Sequence, residues 1–313
     1  MYQFGGSPVG PVASVVAAGG KWLWVDPVNG NNNNSGTKPS EAMKSVIAAE
    51  ELLTANKNEG IFMIGGATAD VLTATLTWDK SYTHLIGLVA PTQYGIRNRI
   101  QSTTATLLPM VTISGNGCVF QNIMFTHEGS NATTCARAVD MTGDRNYFGN
   151  CTFRQIGAAS VLDASKRDIY INSDNGENYF YKCAFGSTSY DGSANAANYN
   201  MEFAASAQSG ANVFEKCQWL GSGSSGASWI LTGVNSLTSW TLFQDCLFYN
   251  NEMGTMNAMT QGFALNSATS GQLIFKNTSY LGCATLETTN SGYIFGDDVN
   301  AAATTGKLVT LTF

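Results

Sequence analysis

The sequence predicts an all-β chain wound as a parallel β-helix, and three observations carry that prediction. A seven-residue phrase recurs six times, a short strand precedes each copy, and four cysteines occupy one slot of successive copies. The phrase runs Val119 to Phe125, Tyr147 to Phe153, Tyr179 to Phe185, Val213 to Trp219, Leu242 to Phe248 and Ile274 to Tyr280. It reads apolar, Phe, any, Asn/Lys/Asp, Cys or a small or branched residue, any, aromatic. Counted on its Phe, it returns every 28 to 34 residues, and a period of that size marks a repeat architecture.

Each element follows from local chemistry. Phe at the second place, Cys or Ile at the fifth and the aromatic at the seventh cannot share one face of a straight strand. A bend at the Asn/Lys/Asp place would let all three point inward. The flanks are rich in Gly, Ser, Asn and Thr, which argues against helical repeats. The preceding strands (Val111 to Ile113, Val139 to Met141, Ile169 to Ile171, Met201 to Phe203, Ile230 to Thr232, Phe263 to Leu265) mainly alternate apolar and polar residues, as half-buried strands do. Strand, turn, strand, bend, strand and loop make one rung. Rungs stack at about 4.8 Å, so equivalent residues form ladders. Cys151, Cys183, Cys217 and Cys246 then stack as a column of buried thiols. Seven cysteines at rung spacing do not form a disulfide framework, and no Cys/His spacing suits zinc.

The chain opens on an apolar strand, Trp22 to Val25, and an Asn/Gly loop, Asp26 to Thr37. Ser40 predicts a helix over about 40–55, placed to cap the open end of the coil. "WVDPVNGNNNNSGT", then "IFMIGG" and "THLIG", resembles the opening segment of pectin-lyase-like right-handed parallel β-helix proteins. The resemblance spans residues of about 22 to 313 and implies the right-handed form of the fold. It leaves function open, since that superfamily holds lyases, hydrolases, epimerases, phage tailspikes and virion proteins without enzymatic activity. The domain reading is an arm over 1–20 and one β-helix domain over 21–313, with its clearest rungs from about 110 to 313. Lys307 to Phe313 reads as a closing strand.

Composition narrows the function. Charged residues are 12% of the chain, against about a quarter in an ordinary domain. With a net charge of −6 and no basic run, nucleic acid is not an expected partner. No apolar stretch is long enough to span a membrane. The first twenty residues lack the basic segment of a secretory signal, which with reduced cysteines points to folding in a cytoplasm.

Candidate catalytic residues come from the preceding strands. If Val139/Met141, Ile169/Ile171 and Met201/Phe203 face inward, Asp140, Tyr170 and Glu202 face outward in one ladder. Asp140 and Glu202 then stand two rungs, about 9.6 Å, apart, at the upper edge of the separation of about 6.5–9.5 Å in inverting glycosidases. The ordinary alternative is a pair of solvated surface residues, and the next two places, Leu231 and Ala264, offer neither carboxylate nor aromatic ring. Gly296-Asp297-Asp298 reads as a turn, and Lys166-Arg167-Asp168 with Asp163 as a surface salt-bridge patch. His84 and His127 read as edge residues, and the sequons at Asn131, Asn150 and Asn277 carry no meaning without secretion. The Asn loop offers no carboxylate beyond Asp26, so neither metal nor cofactor is implied.

The expectation is therefore a structural protein without enzymatic activity. It would be a bacteriophage capsid decoration or cement protein, assembled in the host cytoplasm and bound to the major capsid protein. It is expected as a homo-oligomer, in line with the trimers common among β-helix virion proteins, with Trp229, Trp240 and Tyr249 as contact residues. The alternatives are a tailspike or tail-fibre protein that binds or cleaves host glycan, and a polysaccharide lyase or hydrolase.

Overall fold

The computed structural model describes residues 19–93, 95–129, 137–155, 166–173, 176–187, 199–205, 210–221, 226–234, 236–251, 259–266, 271–287 and 294–296, with short pieces at 3–4, 7–8, 15–16 and 309–310. Three long sheets run along the coil. Among the described residues they hold ten, nine and seven strands (sheets I, II and III). One rung passes from sheet III to sheet I to sheet II: Val111–Ile113, Val119–Gln121 and Met124–His127. The next passes through Arg137–Met141, Tyr147–Gly149 and Thr152–Gln155. Equivalent strands pair in parallel, so Phe120 aligns with Phe148 and Phe125 with Phe153. The parallel β-helix expected from the repeat is the observed architecture.

The bend within the phrase lies where the sequence places it. Asn122, Asn150, Lys182, Lys216, Asp245 and Asn277 all have φ between 49° and 56°. This left-handed conformation costs an ordinary L-residue about 1–2 kcal/mol, and least for Asn or Asp. It turns the chain from sheet I to sheet II without interrupting the ladder: Asn150 N–H donates to Tyr181 O at 2.7 Å and Lys182 N–H to Glu215 O at 2.9 Å.

The core is two files of stacked rings. Phe120, Phe148, Phe180, Phe214, Phe243 and Phe275 stack with centroids 4.6–5.0 Å apart. Phe125, Phe153, Phe185, Trp219, Phe248 and Tyr280 stack at 4.3–5.5 Å. The files meet edge to face, as at Phe148 and Phe153, so each quadrupole finds a favourable neighbour. The cysteine column lines the corner: Cys183 Sγ donates to Phe148 O at 3.3 Å and Cys217 Sγ to Phe180 O at 3.4 Å. The six described cysteines are buried and free.

A buried asparagine ladder runs beside them. Asn146 Oδ1 accepts from Cys118 N–H, Asn178 Oδ1 from Asn146 N–H, and Asn212 Oδ1 from Asn178 N–H, at 2.7–3.1 Å. Each side chain satisfies a backbone donor that the turn between sheets III and I leaves unpaired.

The N-terminal cap differs from expectation. Residues 40–55 are not one helix: Pro39–Glu41 is a 3-10 turn, and a six-residue helix, Val46–Glu51 (α1), follows. Its cap is Ser45, whose hydroxyl accepts from Ala48 N–H, not Ser40. Val46 and Ala49 join the core. The outer edge of Trp22–Val25 is paired by the returning loop, with Trp24 N–H to Gly36 O at 2.7 Å and Met43 N–H to Trp24 O at 2.8 Å. At the other end, Val309–Thr310 pairs antiparallel with Ser279–Leu281. Asn131, Asp163, Asp297, Asp298 and most of the 1–20 arm lie outside the described residues.

Candidate functional site

The outer face of sheet III carries a polar cluster of two arginines, two carboxylates and two tyrosines. Val139, Ile169 and Met201 point into the core, so Asp140, Tyr170 and Glu202 point out. The parallel register aligns the three in one column. A second column, Arg137, Arg167 and Tyr199, runs beside it in the same register. Arg137 Nη1 lies 2.7 Å from Asp140 Oδ2, and Arg167 Nε pairs with Glu202 Oε2. The guanidinium of Arg137 sits 4.0 Å from the ring centre of Tyr170, and that of Arg167 sits 4.3 Å from Tyr199. Each arginine thus holds a carboxylate while covering an aromatic face on the next rung.

Asp140 is the unsatisfied member. Its Oδ1 is buried and accepts no hydrogen bond from the described residues. Burial pushes its pKa up to about 6, Arg137 pulls against that rise, and the negative charge of Glu202 adds to it. A carboxyl poised there can donate a proton to a leaving oxygen or accept one from a hydroxyl near neutral pH. The cluster supplies no ligand set for a metal: among the described residues no group of three His, Cys, Asp or Glu is placed to hold one.

The other sequence candidates fall elsewhere. Trp229 is wholly buried, packed on Phe248 and Phe263, so it is a core residue and not a contact residue. Trp240 is 41% exposed on sheet I. Tyr249 is half-buried and donates its hydroxyl to Asn251 Oδ1. Arg167 and Asp168 are buried, which corrects the reading of a surface patch. Neither histidine is an edge residue. His127 is buried with Nε2 2.8 Å from Leu107 O. His84 Nδ1 accepts from Val119 N–H, and burial pushes its pKa down to about 4.

Two features went unread in the sequence. Arg137 and Arg167 stand three residues before Asp140 and Tyr170, and that shared offset was their signal. A strap also crosses sheet II: Thr152 Oγ1 donates to Gln93 O, Asn150 Nδ2 to Thr92 O, and Gln93 Nε2 to Lys216 O. A separate cleft of about 630 Å³ lies on the first rungs, lined by Asn32, Lys44, Thr68 and Asp70 among others. Asp70 there accepts from Val46 N–H at 2.6 Å, so its role is to hold α1.

No protein-family profile matches the sequence, and no curated protein sequence does either. Solved structures do match in fold. A rhamnogalacturonan lyase aligns with a TM-score of 0.62 at 12% identity, over 89% of this chain and 73% of its own. Pectate lyase Pel9A aligns at 0.57 and 15% identity, over 82% of this chain; the match spans 62% of its length. The pectin methylesterase from Aspergillus niger aligns at 0.50 and 14%, over 91% and 92%. At these identities the likeness shows the fold alone, a parallel β-helix. All three are enzymes, and that overturns the expectation of a chain without enzymatic activity: the scaffold found here is one that enzymes use.

Proposed function

We propose that this chain binds and processes glycan on the outer face of sheet III, with Asp140, Glu202, Tyr170 and the two arginines as the contact and reaction groups. The observation that carries this reading is the buried, unpartnered Oδ1 of Asp140 within an otherwise paired network. Such an acceptor is costly when left alone, and a sugar hydroxyl donating to it would satisfy it. The fold-level likeness to polysaccharide lyases and an esterase favours the same class of ligand. In a hydrolytic reading, the protonated Asp140 gives its proton to the leaving oxygen, and Glu202 activates a water across a gap of about 9.6 Å. The capsid-decoration reading does not enter the proposal, because nothing in the fold or the comparisons points to a virus particle.

The test is incubation of the purified chain with a panel of acidic and neutral polysaccharides. New reducing ends or released ester groups are measured alongside calorimetric binding. Asp140→Asn and Glu202→Gln should abolish turnover, and Tyr170→Ala should weaken binding about tenfold or more. If no polysaccharide in the panel binds or is altered, the reading fails.

A further inference from the structure

Sheet I presents a second outer face of opposite character. Its strands pack Phe120, Phe148, Phe180, Phe214, Phe243 and Phe275 inward, so the alternate residues face out along ten rungs. At the N-terminal end these are Trp22, Trp24 and Phe62, in mid-coil Tyr147, Tyr179 and Tyr181. Further on come Val213, Leu242, Trp240 and Phe295, the last two 41% and 45% exposed. A solvent-facing sheet face is normally polar. Here the charged outward side chains on the described strands are Glu215 and Lys276, and the ammonium groups of Lys182 and Lys216 at the bend lie over the Tyr181 ring at 5.3 and 5.5 Å. Glu215 is held by Lys216 at 2.7 Å and by the Tyr179 hydroxyl.

We infer that this face of sheet I is the surface through which copies of the chain associate. Three features favour a second copy over a sugar chain. The rings stack on one another along the coil, Trp22 on Phe62 at 4.5 Å and Tyr147 on Tyr179 at 5.9 Å. The flat faces of these four rings are therefore used internally and that of Tyr181 lies under two lysines, whereas a pyranose needs an open face. The area suits a protein: ten strands at about 4.8 Å spacing and a width of about 14 Å give about 600 Å² per copy. The pair total of about 1,200 Å² is the lower bound of a standard interface, and the per-copy area of about 600 Å² is the upper limit of an apolar patch on a monomer. The net charge of −6 lies almost wholly off this face, so two copies can meet on it without like-charge repulsion. Association on sheet I leaves the polar cluster of sheet III open.

The test is the mass of the full chain in solution, by sedimentation at about 1–100 μM, for the wild type and for Leu242→Glu and Tyr181→Lys. The wild type should be a dimer or larger, and each variant should shift to monomer with an unchanged far-ultraviolet circular dichroism spectrum. A monomeric wild type at every concentration overturns the inference without touching the sheet III proposal. So does a folded variant that keeps the wild-type mass. Loss of glycan binding in a variant of unchanged mass would instead assign the face to sugar.

Discussion

Asp140 and Glu202 stand two rungs apart in one outward column of sheet III, with Tyr170 aligned between them. Arg137 holds the first carboxylate and Arg167 the second, so the two acids share a network while keeping separate partners.

The negative charge of Glu202 helps to raise Asp140 to about 6. Glu202→Gln removes that charge and leaves Arg167 uncompensated, and both changes favour the ionised Asp140. Its titration midpoint, followed by carboxyl carbon resonances, should therefore fall below that of the wild type in the variant. A midpoint that stays or rises would show that the acids do not sense each other.

The asparagine ladder makes a stability prediction. Asn178 is fully buried and accepts from Asn146 N–H, while its own N–H donates to Asn212 Oδ1. Asn178→Ala leaves the Asn146 amide buried without an acceptor, at a cost of about 1–3 kcal/mol. Urea unfolding should show that loss, and one below about 0.5 kcal/mol would mean that the rung relaxes to find another partner.

How far these features were legible depends on how local their cause is. The bend was readable because the Phe, Cys and aromatic places of the phrase demand a change of direction, and six left-handed residues supply it. The ladder register was readable for Asp140, Tyr170 and Glu202 because their neighbours alternate. Trp229 was misplaced because alternation breaks where the sheet III strands begin. Ala138 and Val139, Asp168 and Ile169, and Trp229 and Ile230 are consecutive buried pairs, so a period-two reading sends one of each pair to the wrong side. The strap at Thr92 and Gln93 was illegible for another reason. Its contacts lie 58 to 125 residues away, and no local pattern encodes them. The helix was overextended because Ser40 and Ser45 both have cap chemistry, and only the contact of α1 with the coil distinguishes them.

Asp70 sets a pH dependence on folding. It is buried, accepts a single backbone bond from Val46, and burial raises its pKa to about 6 from 3.8. The folded state therefore binds the proton more tightly than the unfolded chain. The stability that this proton contributes is complete below about pH 4, falls as pH rises through 6, and is absent above. Asp70→Asn keeps an acceptor for Val46 N–H and removes the charge. At pH 8 it should stabilise the fold, by at most about 3 kcal/mol for a shift of two units, and flatten the stability profile between pH 4 and 7. Thermal unfolding of both proteins across that range decides it, and an unchanged slope would place the proton elsewhere.

The cysteine column predicts both reactivity and tolerance. The six described cysteines are buried at 3% exposure or less, which keeps a reagent from reaching them, and burial pushes the thiols of Cys118, Cys151 and Cys217 up, away from the reactive thiolate. A thiol reagent should leave the six described cysteines unmodified in the native chain and titrate all seven in denaturant. Two or more reactive thiols under native conditions would contradict the buried column. On five of the six rungs the slot holds a donor of modest size, with Ile123 filling it by packing alone on the first: Thr278 on a later rung donates Oγ1 to Phe243 O at 3.3 Å, as Cys217 Sγ does to Phe180 O. Cys217→Ser keeps the donor with a slightly smaller atom, whereas Cys217→Ala loses it and leaves a void at the corner. The alanine variant should therefore be the less stable, by about 1 kcal/mol, in paired urea titrations. Equal midpoints would show that the column holds by packing alone.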